Sequence, residues 1–190
     1  MKKSVLAAAA TAAVLCLSTT AFVASAHARA VPPATVSHSK IALDDATIVA
    51  IFDEANSADI ETGKLAEKKG STKEVRDFGA MLARDHSAVR QQGRDLAKKL
   101  GVTPTAPKPD QGARDHAGAM KELNALSGPA FDKAFLAHEI AFHKAVIDAV
   151  TTTLLPAIQN ADLKALVVKV APAFQAHMLA AQNLESKLGK

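Results

Sequence analysis

The chain has 190 residues, with 23 basic and 19 acidic side chains, one cysteine, no tryptophan and no tyrosine. A formal net charge of +4 is too weak, and the aromatic content too low, for a surface that tracks a phosphate backbone and stacks bases. Nucleic acid is therefore not an expected partner, and a lone cysteine excludes a disulfide framework or a Cys-ligated metal.

The first residues read as an export signal. Lys2 and Lys3 give a positive start, Ser4 to Ala26 is uncharged and rich in Ala, Val and Leu, and Ala26-His27-Ala28 is a small-x-small cleavage pattern. Cleavage is expected after Ala28, so residues 1–28 are the signal peptide. Removing Lys2 and Lys3 lowers the net charge from +4 to +2, which further weakens any reading based on basicity. Cys16 falls inside the signal, and the bulky Leu15 before it argues against lipidation. A mature chain of about 160 residues without disulfides suffices for one domain held by its own core. Residues 29–43 carry Pro, Ser and Thr without periodicity and read as a flexible leader to a helical domain over 44–190.

From Asp44 the pattern is helical. A first helix is predicted from Asp45 to Lys69, capped by Asp44 or Asp45, with Ile48, Phe52, Ala55, Thr62 and Ala66 inward. Gly70-Ser71-Thr72 ends it, and Ser71 with Glu74 forms a capping-box pattern for a second helix, Thr72 to Leu100. Val75, Leu82, Val89 and Leu96 recur every seven residues there, and Gly101 is a stop. The Pro-rich stretch 101–112 is a crossover loop, and a short helix follows over Ala113–Leu126. Pro129 to Ala157 is the third long helix, with Phe131, Phe135, Phe142, Val146 and Val150 inward. Asn160 caps the fourth, Ala161 to Lys187, whose stripe runs from Leu163 to Leu188 and contains a kink-inducing Pro172. No strand pattern appears, and no apolar stretch of the mature part reads as a bilayer span. The fold class is all-α: an up-down bundle of four long helices with a short extra helix in the crossover.

Three histidines fall where such a bundle should be apolar. His177 lies three residues after Phe174, His86 four after Leu82, and His143 three before Val146. His143 and His177 are equally far from the turn at Asn160, so they should face each other. Asp59 shares the inner face with Phe52 and Thr62 but sits about 7 Å off the level of His86 at 1.5 Å per residue. One imidazole from each of His86, His143 and His177, with the Asp59 carboxylate from the remaining helix, would suit one divalent ion, zinc above all. Asp85 and Glu139 are placed to accept ring N–H groups behind them. The bland alternative is that each histidine is a core residue with a single hydrogen-bond partner.

Other motifs fail. His138-Glu139-Ile140-Ala141-Phe142-His143 is one residue too long for the zinc-protease pattern. No Glu is followed by His three residues on, as a di-iron bundle needs.

The segments Asp59-Ile60-Glu61-Thr62-Gly63-Lys64-Leu65-Ala66, Met81-Leu82-Ala83-Arg84-Asp85-His86 and Ser127-Gly128-Pro129-Ala130-Phe131-Asp132, with His143, Pro172 and His177, resemble a family of exported bacterial proteins of uncharacterised function. The resemblance covers about residues 45–188. It implies a ferritin-like four-helix bundle outside the cytoplasm and no established activity. The family's pattern has Glu where this chain has Asp59, and the shorter side chain weakens the case for a ligand there. Members are often catalogued as outer membrane proteins, a label at odds with a helical chain, since outer-membrane spans are β-barrels.

Three functions follow as expectations. The first is a periplasmic or envelope-associated bundle that binds one metal ion and is linked to envelope stress. The second is an interaction or scaffolding module whose Ala-rich faces pack against a second copy or an envelope partner. The third, a metal-dependent oxidoreductase, is less favoured, because a closed four-ligand site leaves no position for a substrate.

Overall fold

The computed structural model describes residues 43–188, and the expected signal peptide, nearly all of the leader and His38 lie outside them. The described chain folds into α1 (Asp45–Lys69), α2 (Lys73–Leu100), α3 (Gln111–Ala125), α4 (Gly128–Ala149), a π-helical turn (Val150–Leu154), the single turn α5 (Leu155–Ala157) and α6 (Ala161–Leu188). No strand occurs among the described residues, so the all-α expectation holds.

The helix ends follow local chemistry. Asp44 accepts from Thr47 N at 2.8 Å and satisfies a free donor of α1. Asp45 ties the start of α1 to the α5–α6 turn by accepting from Gln159 N and Asn160 N, both at 2.9 Å. Asn160 accepts from Asp162 N and Leu163 N and caps α6. Gly101 closes α2 at φ 66°, a left-handed conformation that glycine adopts without a Cβ clash.

One cap differs from the sequence reading. Thr72, not Ser71, caps α2, accepting from Val75 N at 3.2 Å. Ser71 is claimed by Asp132 of α4, which accepts from Ser71 N at 2.8 Å, from Ser71 Oγ at 2.6 Å and from Thr72 N at 3.3 Å. Asp132 is fully buried, so this carboxylate fixes the α1–α2 turn against α4. Asp132→Ala should therefore cost about 2 kcal/mol or more, from lost charge-assisted hydrogen bonds. The unfolding midpoint in urea would show it, and an unchanged midpoint would refute the tie.

Helices α1 and α2 form an antiparallel pair: Arg94 meets Asp53, Asn56 meets His86, and Gly63 meets Gly79. Helix α6 packs on α4 and α2, and α4 also contacts α1. The apolar core falls into two clusters. One gathers Ile48, Phe52, Val150, Leu163, Val170 and Phe174; the other gathers Val75, Phe78, Leu82, Phe131, Phe135 and Ala181. Apart from Thr47 and Asp132, the buried polar residues of α1, α2, α4 and α6 lie between the two in sequence on each helix. Leu188, placed inward by its periodicity, is instead 37% exposed at the end of α6.

The third long helix is not α-helical throughout. Thr151 and Thr152 turn their hydroxyls back onto the carbonyls of Ile147 and Asp148 at 2.8 and 2.6 Å. Such back-bonding competes with the helix ladder, and Pro156 has no N–H to give it. The chain widens into the π-turn, where Leu155 N donates to Val150 O.

By length and composition α6 is apolar enough to cross a bilayer, with a mean hydropathy of 1.2 in its most apolar window. The expectation that no such stretch exists is corrected on that count. The helix nevertheless buries one stripe, Leu163, Val167, Val170, Phe174, His177 and Ala181, and packs on α4 and α2.

Candidate metal centre

Between the two apolar clusters each of the four long helices contributes polar side chains to a shared interior. Helix α1 gives Asn56, Asp59 and Thr62, α2 gives His86, α4 gives Glu139 and His143, and α6 gives His177. Their exposures run from 0% for Glu139 to 5% for His177. Three imidazole nitrogens, one each from His86, His143 and His177, lie within 4.8 Å of one another; so do ligand atoms of Asp59, Glu139 and His143.

The outer nitrogens are all committed. Asn56 Nδ2 donates to Phe52 O at 2.7 Å, which turns Asn56 Oδ1 toward His86. His86 Nδ1 lies 2.9 Å from that oxygen and so carries its hydrogen there. His143 Nδ1 donates to the backbone oxygen of Glu139 at 2.9 Å. His177 Nε2 faces Asp85 Oδ2 at 3.3 Å. A neutral imidazole has one N–H, so the inner nitrogens of His86 and His143 are lone pairs. With the His177 hydrogen on Nε2 toward Asp85, His86 Nε2 and His177 Nδ1 face each other as lone pairs across 3.1 Å; with it on Nδ1, they form a hydrogen bond. His143 Nε2 has no hydrogen-bond partner.

A proton does not resolve this at neutral pH. Burial, reinforced by the neighbouring imidazoles His143 and His177, lowers the His86 pKa to about 3. Burial likewise lowers His143 to about 4 and also depresses His177. The approaches of Asp59 to His86 (3.5 Å) and to His143 (3.9 Å) are accordingly not ion pairs at neutral pH.

The carboxyls are equally strained electrostatically. Burial, with Glu139 close by, raises Asp59 well above its ordinary pKa. Burial raises Glu139 to about 7. Asp59 Oδ1 and both Glu139 carboxyl oxygens are buried without partners. Such orphaned atoms are rare in native interiors, and a water, an ion or a proton shared between the two raised carboxyls of Asp59 and Glu139 can satisfy them.

The sequence placed His86, His143 and His177 together, and the structure does so. Asp59 stands beside them although its level differs: Asn56 is directly opposite His86, and Asp59 follows it by three residues, about 4.5 Å along the axis. The offset is not closed: Asp59 approaches His86 Nδ1 at 3.5 Å and His143 Nε2 at 3.9 Å, and it groups with Glu139 and His143 rather than with the three histidine nitrogens. Asn56 itself was missed, although it lies four residues after Phe52 on the inner stripe. Glu139 lies nearer the centre than a group that only accepts a ring N–H, with Oε2 3.5 Å from His143 Nδ1. Asp85 occupies its expected place behind His177. His116 is elsewhere, paired with Glu61 at 2.8 Å, and His138 stacks on Phe142 outside both ligand groups.

A family model described as "Domain of unknown function (DUF4142)" matches residues 30–184. No curated protein and no solved structure matches the chain.

Proposed function

The chain belongs to the DUF4142 family, a domain of unknown function, so its own residues must carry the reading, and we propose that it is an exported helical bundle that holds one divalent metal ion through His86, His143, His177 and Asp59. The ring of contacts among α1, α2, α6 and α4 supports an up-down four-helix bundle of ferritin-like type. The observation that carries the metal reading is that one buried ring nitrogen from each of His86, His143 and His177 lies within 4.8 Å of the others, with a polar group behind each ring. Metal-binding imidazoles are held in this way by groups behind them, here Asn56, Asp85 and the Glu139 carbonyl. Two buried carboxyls, once ionised, balance the charge of a divalent ion. Three nitrogens and one carboxylate oxygen suit zinc. The signal-like N-terminus supports export to the periplasm or envelope.

The interaction-module reading has less to stand on. Val168 and Leu179 are exposed on α6 at 55% and 47%, but scattered apolar side chains are ordinary on protein surfaces.

Residues 29–190, purified without an affinity tag, should carry close to one metal ion per chain by mass spectrometry. The His86→Ala, His143→Ala, His177→Ala triple variant should carry none. A folded wild-type protein that stays metal-free after incubation with zinc, iron or manganese would overturn the reading.

A further inference from the structure

Four buried side-chain atoms without partners fall in one place: Asp59 Oδ1, both carboxyl oxygens of Glu139 and His143 Nε2. Ligand atoms of these same three residues lie within 4.8 Å of one another, and all three residues are buried. This group is a different donor set from the imidazoles of His86, His143 and His177, and only His143 belongs to both. The two sets also differ in chemistry. The carboxylates of Asp59 and Glu139 bring four oxygens and, ionised, the two negative charges that offset a divalent cation. Carboxylate oxygens suit manganese, whereas imidazole nitrogens suit zinc. His143 makes the sets compete. Its Nδ1 donates to Glu139 O at 2.9 Å, which leaves Nε2, 3.9 Å from Asp59 Oδ1. A single ring lone pair serves one ion.

We propose that Asp59, Glu139 and His143 form a second cation position, one that takes manganese and shares His143 with the position on the three histidines. The centre then holds one ion at a time, and the donor preference of the ion decides where it sits. This assignment rests on the metal reading above and adds Glu139 to the ligands. Glu139 is peculiar to the manganese position, and His86 and His177 are peculiar to the zinc position. Asp59 and His143 serve both. Zinc binds a given site more tightly than manganese, so zinc should win when both are present.

Titrations of metal-free residues 29–190 with manganese and with zinc test the two positions. The electron paramagnetic resonance signal of free manganese reports its binding, and a chromophoric chelator reports zinc. Wild-type protein should bind close to one manganese ion per chain and release it as one equivalent of zinc is added, a result that needs no variant. Glu139→Gln should cost manganese at least about tenfold more affinity than it costs zinc, and His177→Ala should do the reverse. Circular dichroism confirms that both variants remain helical. Zinc binding without manganese binding in the wild type would overturn the second position and leave the metal reading standing, the two carboxyls then being satisfied by a proton. Equal losses of both metals in each variant would overturn the division of ligands. Manganese retained beside a full equivalent of zinc would overturn the competition for His143. A protein that takes neither metal would refute the metal reading and the second position together.

Discussion

Alanine at Gly79 should destabilise the protein by about 3 kcal/mol or more, at the upper end of what overpacking costs. A Cβ there would lie 2.5 Å from Gly63 O, 2.7 Å from Glu67 N and 2.8 Å from Ala66 Cβ, all on the facing helix α1. Two of these are backbone atoms and cannot rotate away. On the facing side, a Cβ added at Gly63 would lie 2.7 Å from Gly79 O and 3.0 Å from Ala83 N. The only relief is to part α1 from α2, which would also draw Asn56 and Asp59 away from His86. Metal content should therefore fall with stability in Gly79→Ala. Gly118 in α3 is the control: a Cβ there meets nothing within 4 Å, and alanine should gain about 0.5–1 kcal/mol from helix propensity alone. Urea unfolding of the two variants decides it. Equal midpoints would mean that the helices are not in backbone contact.

The second large effect is a pH dependence that metal removes. Glu139 has a folded pKa near 7, above its unfolded value, so its contribution is complete below about pH 4.5 and is lost as pH rises through 7. Asp59 is shifted in the same direction and adds to the loss. The histidines act oppositely. Their folded values, about 3 for His86 and about 4 for His143, lie below the ordinary value of 6.5. Their contribution is complete above 6.5 and is lost as pH falls toward 4. Metal-free protein should thus be most stable in mildly acidic solution. Between pH 6 and 8 the carboxyl side dominates, and Glu139 alone should remove about 1 kcal/mol. Glu139→Gln should flatten that limb, and so should a bound divalent ion, which compensates the ionised carboxylates. Thermal unfolding of metal-free wild type that is as stable at pH 8 as at pH 6 would contradict the carboxyl assignment. Glu139→Gln should also weaken metal retention, so the same substitution raises metal-free stability at pH 8 and lowers affinity.

What could be read from the chain beforehand divides along physical lines. The spans of α1, α2 and α6, the Asp44 and Asn160 caps and the Gly101 stop are local signals, and each is realised. The meeting of His86, His143 and His177 was also legible, because a 3.6-residue period fixes the face and the distance to each turn fixes the height. Ser71 was misread because a capping pattern describes only neighbours in sequence, whereas Asp132 reaches it from 61 residues away. The π-turn escaped because Val150-Thr151-Thr152-Thr153 and Pro156 fit a helix by spacing and betray it only through hydroxyl back-bonding. Asn56 was passed over because an amide on an apolar stripe looks like a solvent-facing residue until its partner is known. The burial of Glu139 follows from the approach of α1 to α4, and no periodicity of either helix contains that.

A metal held by one ligand from each long helix, as proposed, would also change what holds the chain together. Its single cysteine, Cys16, lies outside the helical domain, so no covalent bond joins these helices. An ion touching Asp59, His86, His143 and His177 would tie four distant points of the sequence, and the strength of that tie would be set from outside. Stabilisation by a bound ion grows as the logarithm of its free concentration, about 2.7 kcal/mol at a hundred times the dissociation constant. The lifetime of the folded protein would then follow the supply of metal in its surroundings, and scarcity would be felt first as unfolding.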